Sequence, residues 1–138
     1  MVISKRIGLK TKGNGAIINL NTQVSNEVKD SSITNGIVTL FVAGSTAGIT
    51  TIEFESGLIS DFQNMWQRVI PKGIPYQHDR AWGEGNGFSH VRASLLGASL
   101  TIPIVNKALV LGTWQQIVLV DFDNRPRQRE IVLQIMGE

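Results

Sequence analysis

The chain has no cysteine in 138 residues, which excludes a disulfide framework, a thiolate nucleophile and thiolate-bound zinc. Histidine is nearly as scarce, with two, so any metal has to be held by His, Asp, Glu, Asn or water. No apolar run approaches the roughly 20 residues that cross a bilayer. The N-terminus, MVISKRIGLKTKG, alternates apolar and basic residues and lacks the continuous apolar core and small-residue cleavage site of a signal peptide. A cytoplasmic location is the resulting expectation. A strong excess of one charge is missing too: the formal net charge is +2, and the basic residues gather only at the two ends, as Lys5, Arg6, Lys10 and Lys12 and then Arg125, Arg127 and Arg129. That balance argues against nucleic acid or a membrane as partner and suits a small anionic ligand.

What is present is the composition of one globular domain spanning residues 1–138, with 42% hydrophobic and 17% charged residues. Residues 2–10 alternate as a strand, and a short apolar piece covers 16–20. Thr22 is placed to cap a helix over 23–31, with Val24 and Val28 on one face. Ile37 to Ala43 reads as a buried strand, and Ile49 to Phe54 as an alternating one. Gly57 opens a helical pattern carried by Leu58, Phe62, Met65, Trp66 and Val69, which Pro71 stops. A short helix over 89–96 ends at Gly97. Strands over 100–105, 109–111, 114–122 and 128–136 follow, separated by turn residues that suggest consecutive antiparallel hairpins. The expected class is α+β, a largely antiparallel sheet or sandwich with two or three helices; a parallel α/β fold lacks a crossover helix in the last forty residues.

Both histidines lie in YQHDRAWGEGNGFSHVRASLLG, residues 76–97, where Asp79, Glu84 and Asn86 accompany His78 and His90, and Gly83, Gly85 and Gly87 allow close backbone approach. An imidazole can ligate a metal, move a proton or satisfy a buried hydrogen bond, and this spacing matches no standard zinc module. GSTAG, residues 44–48, offers backbone N–H groups and the hydroxyls of Ser45 and Thr46 to an anion, or is an ordinary tight turn. Glu53 alternates with Ile52 and Phe54 and faces away from them. Asp61 falls in the first turns of its helix, where a carboxylate complements the dipole. Arg125, Arg127 and Arg129 share one strand face if the strand starts that early, either as a phosphate-binding row or as a solvated edge kept soluble by charge.

Three longer stretches, STAGITTIE, YQHDRAWGEGNGFSHVRASLLGASLTIPI and LGTWQQIVLVDFDNRPRQREIVLQIMG, resemble successive signatures of the YjbQ-like family, small proteins described as secondary thiamine-phosphate synthases. The resemblance implies an α+β homotrimer with a site near the subunit boundary. It implies a transferase that joins a hydroxymethylpyrimidine pyrophosphate to a thiazole phosphate and releases pyrophosphate. The family's polar motif maps onto His78, Asp79, Asn86 and His90, its loop onto Ser45 and Thr46, its acidic position onto Glu53, and its later signatures onto Gly112, Thr113, Trp114, Gln115, Arg125, Arg127 and Arg129. One departure stands out. Many relatives carry a histidine where this chain has Gly44, so a three-histidine metal site does not transfer.

On the transferase reading, pyrophosphate leaves a benzylic-type carbon and the thiazole nitrogen captures the cation, so charge stabilisation and positioning are the needs. Ser45, Thr46, Arg92, Arg127 and Arg129 are the expected phosphate ligands. His78, Asp79 and His90 are expected to hold a divalent cation, Zn or Mg, or to transfer protons. Trp114 can stack on a flat ring, or serve as a core or trimer contact. Two other classes remain open: a metal-dependent hydrolase of a small phosphorylated or cyclic compound, and a non-catalytic trimeric ligand-binding protein.

Overall fold

The computed structural model describes residues 1–138. Strands β1 (Val2–Thr11), β3 (Gly36–Val42), β5 (Ser99–Val105), β6 (Ala108–Leu109) and β8 (Arg127–Gly137) form one sheet in the order β1-β8-β3-β5-β6. Strands β2 (Ala16–Asn19), β4 (Ala47–Glu53) and β7 (Gln115–Asp121) form a second, in the order β2-β7-β4. All pairings are antiparallel. Helices α1 (Asn21–Asp30), α2 (Ser56–Val69), α3 (Gln77–Trp82) and α4 (Gly87–Leu96) complete the chain. The α+β class holds, with four helices in place of two or three.

The layers follow from the side-chain alternation of β7. Ile117 and Leu119 pack with Val38, Leu40, Leu133 and Ile135 between the two sheets, while Val118 and Val120, with Phe122 just beyond the strand, pack with Trp66, Ile70, Phe88 and Ala93 from α2, α4 and their flanks. Because β7 is buried on both faces, it reads as a continuous apolar run. Each such side chain contributes about 1.5–3 kcal/mol by leaving water. Leu20, Val24 and Val28, four residues apart and fully buried, bring α1 against the inter-sheet core.

This double burial overturns the expected series of hairpins. Only β5 and β6 form one; β7 crosses to the centre of the second sheet, and β8 returns to the first, between β1 and β3. The arginine strand is therefore not a solvated edge. The piece expected over 109–111 shrinks to Ala108–Leu109. Trp114 lies outside β7 and is 72% exposed, so it is not a core residue of this chain.

Thr22 does not cap α1. Asn19 Oδ1 accepts from the Asn21 N–H at 2.9 Å, and the helix starts at Asn21. Glu55 caps α2, its two carboxylate oxygens accepting from the N–H groups of Gly57 and Leu58 at 2.8 Å each. Ile70, which precedes Pro71, leaves the helical region at φ −132°, ψ 78°. Helix α4 begins two residues earlier than expected because Asp79 Oδ1 accepts the Gly87 N–H at 2.8 Å. Gly48 lets β4 pass under the end of α4: a Cβ there would stand 2.7 Å from the Gly97 carbonyl oxygen. No helix is long and apolar enough to cross a membrane.

Candidate functional site: a cleft of imidazoles and guanidiniums

Three segments converge at one end of the sandwich. They are the Gly44–Thr46 turn between β3 and β4, the α3–α4 segment, and the turn joining β7 to β8. Between them is an open cleft of about 450 Å³ whose lining includes Ser45, His78, His90, Arg125, Arg127 and Arg129.

Its floor is built from two buried aspartates. Asp121 and Asp123 are both 0% exposed. Arg129 clasps Asp121 through Nε to Oδ2 at 2.7 Å and Nη2 to Oδ1 at 2.8 Å, and its Nη2 also donates to Thr46 Oγ1 at 2.6 Å. Thr11 Oγ1 donates to Asp121 Oδ2 at 2.5 Å. Arg127 Nε donates to Asp123 Oδ2 at 2.9 Å, and Thr46 Oγ1 donates to the same oxygen at 2.9 Å. Burial alone would raise the Asp123 carboxyl, but the hydrogen bonds from Thr46 and Arg127 and the adjacent guanidinium charge outweigh it and hold it below the usual carboxylate range. The β1–β2 turn closes this floor from behind, the Asn14 and Gly15 N–H groups donating to the carbonyls of Asp123 and Asp121.

Sequence reasoning singled out neither aspartate. A signal existed: in VLVDFDNRPRQR two acids end an apolar run just before three arginines, and carboxylates carried into a core need cationic partners.

Above the floor, the His78 and His90 rings stack with centroids 4.3 Å apart and planes tilted by 38°. Burial and the neighbouring His78 together hold the His90 imidazole below its usual value, against the opposite pull of Asp123 and Glu84. His90 is therefore neutral at neutral pH. His78 Nδ1 is buried without a hydrogen-bond partner, 4.0 Å from Asp79 Oδ1. Gly44 sits against the arginine, since a Cβ at that position would lie 2.8 Å from Arg129 Nη1. Where a side chain would project, this chain places a guanidinium nitrogen.

The expected site residues divide into groups. Ser45, Thr46, His78, Asn86, His90, Arg125, Arg127 and Arg129 come together. Within that set Thr46 is committed to Asp123 and Arg129, and Asn86, 2% exposed, accepts from Ser89 Oγ and the Asn124 N–H. Asp79 serves as the acceptor that starts α4. Arg127 and Arg129 do share a face of β8, the inward one, while Arg125 precedes the strand.

Arg92, two residues beyond His90 and so on the other side of α4, donates to the Ile70 carbonyl at 2.9 Å and to Gln67 Oε1 at 3.2 Å. It does not reach the cleft. Glu53, Trp114 and Gln115 lie at the far end of the second sheet, where Glu53 pairs with Gln115 and, with Trp114, borders a separate hollow. The six strand steps from Ala47 to Glu53 put them about 20 Å away.

The donor set tests the metal expectation. The cleft brings two imidazoles together, but no group of three or more His, Asp or Glu side chains in the chain is arranged to hold an ion. Asp79, Asp121 and Asp123 are already used, the first by the Gly87 N–H and the others by arginines, which leaves Glu84 as the cleft-lining carboxylate with no side-chain partner. The chain's own residues therefore do not compose a metal site, and any ion at the imidazoles would need ligands from beyond this chain.

A family model described as UPF0047 protein YjbQ-like matches residues 5–138. The chain belongs to the YjbQ-like UPF0047 family. It is 36% identical over 137 residues to a UPF0047 protein of Methanothermobacter thermautotrophicus, covering 99% of this chain and 94% of that protein. It is 32% identical to the UPF0047 protein YugU of Bacillus subtilis, covering 96% and 98%. Among solved structures, a YbjQ-like protein of unknown function from Sulfolobus solfataricus superposes with a TM-score of 0.90 at 31% identity over the whole of both chains. A YjbQ/UPF0047 protein from Clostridium acetobutylicum superposes with 0.87 at 34% identity, covering 96% of this chain and 99% of that one. The sandwich that positions the cleft is thus the fold of the YjbQ-like family.

Proposed function

We propose that the cleft binds the phosphate or pyrophosphate group of a small molecule, and that the chain works as a thiamine-phosphate-synthase-like transferase. The anion part of this reading is carried by the guanidinium set. Asp121 and Asp123 anchor Arg129 and Arg127 through their Nε atoms, while Arg129 Nη1, the terminal nitrogens of Arg127 and the whole Arg125 guanidinium line the cleft without a protein acceptor. Pre-fixed donors of this kind lose little freedom when an anion arrives, and a forked guanidinium matches phosphate oxygens.

In the transfer, the bond between the pyrimidine methylene carbon and the pyrophosphate oxygen breaks, and its electron pair leaves with pyrophosphate. The lone pair of the thiazole nitrogen forms the new C–N bond. No protein nucleophile is required. The arginines and the Ser45 hydroxyl would stabilise the departing charge, and His90 and its neighbour His78 would exchange a proton with the bound anion. The non-catalytic alternative has an observation in its favour: His78 Nδ1 lacks the hydrogen bond that ordinarily orients a catalytic imidazole. The hydrolase alternative would require a metal whose ligands this chain does not complete.

The resemblance also implies a homotrimer. The outer face of the five-stranded sheet, where Ile37, Phe41 and Met136 are exposed, supports self-association. Calorimetric titration with pyrophosphate tests the anion site: wild type should bind, and Arg127→Ala should bind at least tenfold more weakly, about 1.4 kcal/mol. Growth rescue of a thiamine-phosphate-synthase deletion strain tests the transfer, with His78→Ala as control. Binding without rescue and without pyrophosphate release in vitro would leave the non-catalytic reading standing.

A further inference from the structure

On the opposite side of α4 is a second cavity, of about 230 Å³, walled by Ile17, Phe62, Trp66, Val120 and Phe122, with Arg92 on its lining. The Trp66 ring meets Phe62 and Phe122 edge to face, at centroid distances of 5.7 and 4.9 Å. Asn14 and Gln63 also line this chamber, and two of its features are unsettled. Trp66 is 4% exposed, and its Nε1–H is buried with no acceptor, a state that costs about 1–3 kcal/mol. Arg92 is 6% exposed, and burial pulls its guanidinium below the usual value, yet no carboxylate lies within salt-bridge distance. Its hydrogen-bond partners are both neutral, the Ile70 carbonyl and Gln67.

A second cation, on exposed Lys72, lies nearby. Lys72 Nζ and the Arg92 guanidinium each sit 5.0 Å from the centre of the Phe88 ring, and Lys72 also donates to Asn14 Oδ1 on the cavity rim. Buried arginines ordinarily have anionic partners. Here no carboxylate of the chain pairs with it, and the space beside the guanidinium is lined by aromatic rings together with Asn14 and Gln63.

We propose that this cavity is a second ligand site, independent of the phosphate cleft, which takes a small aromatic carboxylate. The ring would lie among Phe62, Trp66 and Phe122, with the carboxylate accepting from Arg92. An apolar cavity of about 150 Å³ admits benzene, so 230 Å³ suits a single ring with a short anionic substituent. The site differs from the cleft in wanting an apolar body as well as a charge.

The three tryptophans make the test direct, because Trp82 and Trp114 are 71% and 72% exposed while Trp66 is buried. In protein labelled with 15N at the indole nitrogens, benzoate should shift the Trp66 resonance saturably, with a Kd on the order of 1 mM, and leave Trp114 in place. Benzyl alcohol, of similar shape without the charge, should bind at least tenfold more weakly. Arg92→Gln should lose benzoate by about the same factor. Should that variant fail to fold, the comparison of the two probes on wild type still decides. A Trp66 resonance unmoved by about 10 mM benzoate overturns the site. Equal shifts from benzoate and benzyl alcohol overturn the anionic specificity and reduce the feature to an apolar cavity. Pyrophosphate, titrated separately, should leave Trp66 untouched, so failure of the phosphate reading does not disturb this one.

Discussion

Replacing Asp121 by asparagine removes one charge and almost no volume, so it isolates the electrostatics of the cleft floor. The wild-type carboxylate is fully buried and accepts from Arg129 Nε and Nη2, Thr11 Oγ1 and the Asp123 N–H. The amide keeps one acceptor oxygen and turns an NH2 group toward donors. Arg129, with 8% of its side chain exposed, then carries a charge without its bidentate partner. With so little solvent at the pair, screening gives small relief, and breaking a buried pair on one side costs about 3–5 kcal/mol. For a chain of this length that corresponds to a fall in Tm of roughly 10–20 °C. Urea unfolding at fixed protein concentration, followed by the emission of buried Trp66, measures it. The double replacement Asp121→Leu with Arg129→Met should recover most of the loss, since an apolar pair in the same place is often neutral, while pyrophosphate affinity stays low. A single variant destabilised by under about 1 kcal/mol, or a double variant no better than the single, would refute the claim that Asp121 exists to hold a buried arginine.

Gly44→Ala should push Arg129 Nη1 from its position and cost about 1–3 kcal/mol of stability, with weaker pyrophosphate binding; unchanged stability and affinity would mean the guanidinium yields freely. Acid should destabilise in two steps. Because the folded protein holds His90 below its ordinary value of 6.5, the unfolded chain takes up that proton first and stability falls as pH drops below 6.5; His90→Gln should remove this step in a denaturation series. Asp123 is likewise held below its ordinary 3.8, so its contribution is intact above that pH and is lost as pH falls through the lower folded value. Phe41→Asp, on the outer sheet face, should leave the far-ultraviolet dichroism unchanged and shift the sedimentation coefficient to that of a smaller species; an unchanged coefficient would free that face from any role in assembly.

Much of the fold could be read locally. The alternation of β1, the three- and four-residue spacing from Leu58 to Val69, and the stop at Pro71 reflect preferences that act within a few residues. The departures have one local cause and one distant cause. Thr22 is a good cap by type, but Asn19 already satisfies the Asn21 N–H. Residues 114–122 looked like the next member of a meander, because a chain pattern records that a strand is apolar on both faces without naming the sheet that will cover each face.

The candidate site shows the same division. Composition ruled out thiolate chemistry, and the polar stretch from Tyr76 to Gly97, the GSTAG turn and the arginine triplet were all legible as chemistry-bearing pieces, because residue type alone decides what a side chain can donate, accept or ligate. Which pieces meet was not. Ser45, His90 and Arg127 converge because β4, α4 and β8 begin at the same edge of the sandwich, whereas Glu53 and Gln115 are carried to the opposite end by the length of β4 and β7. The charge of Arg92 suits a phosphate, but helical geometry turns it to the side of α4 away from the cleft. The sequence by itself determined the inventory and the local periods; tertiary structure alone decided that Asp121 and Asp123 consume part of the arginine row, because pairing of buried charges depends on distances between strands that are far apart along the chain.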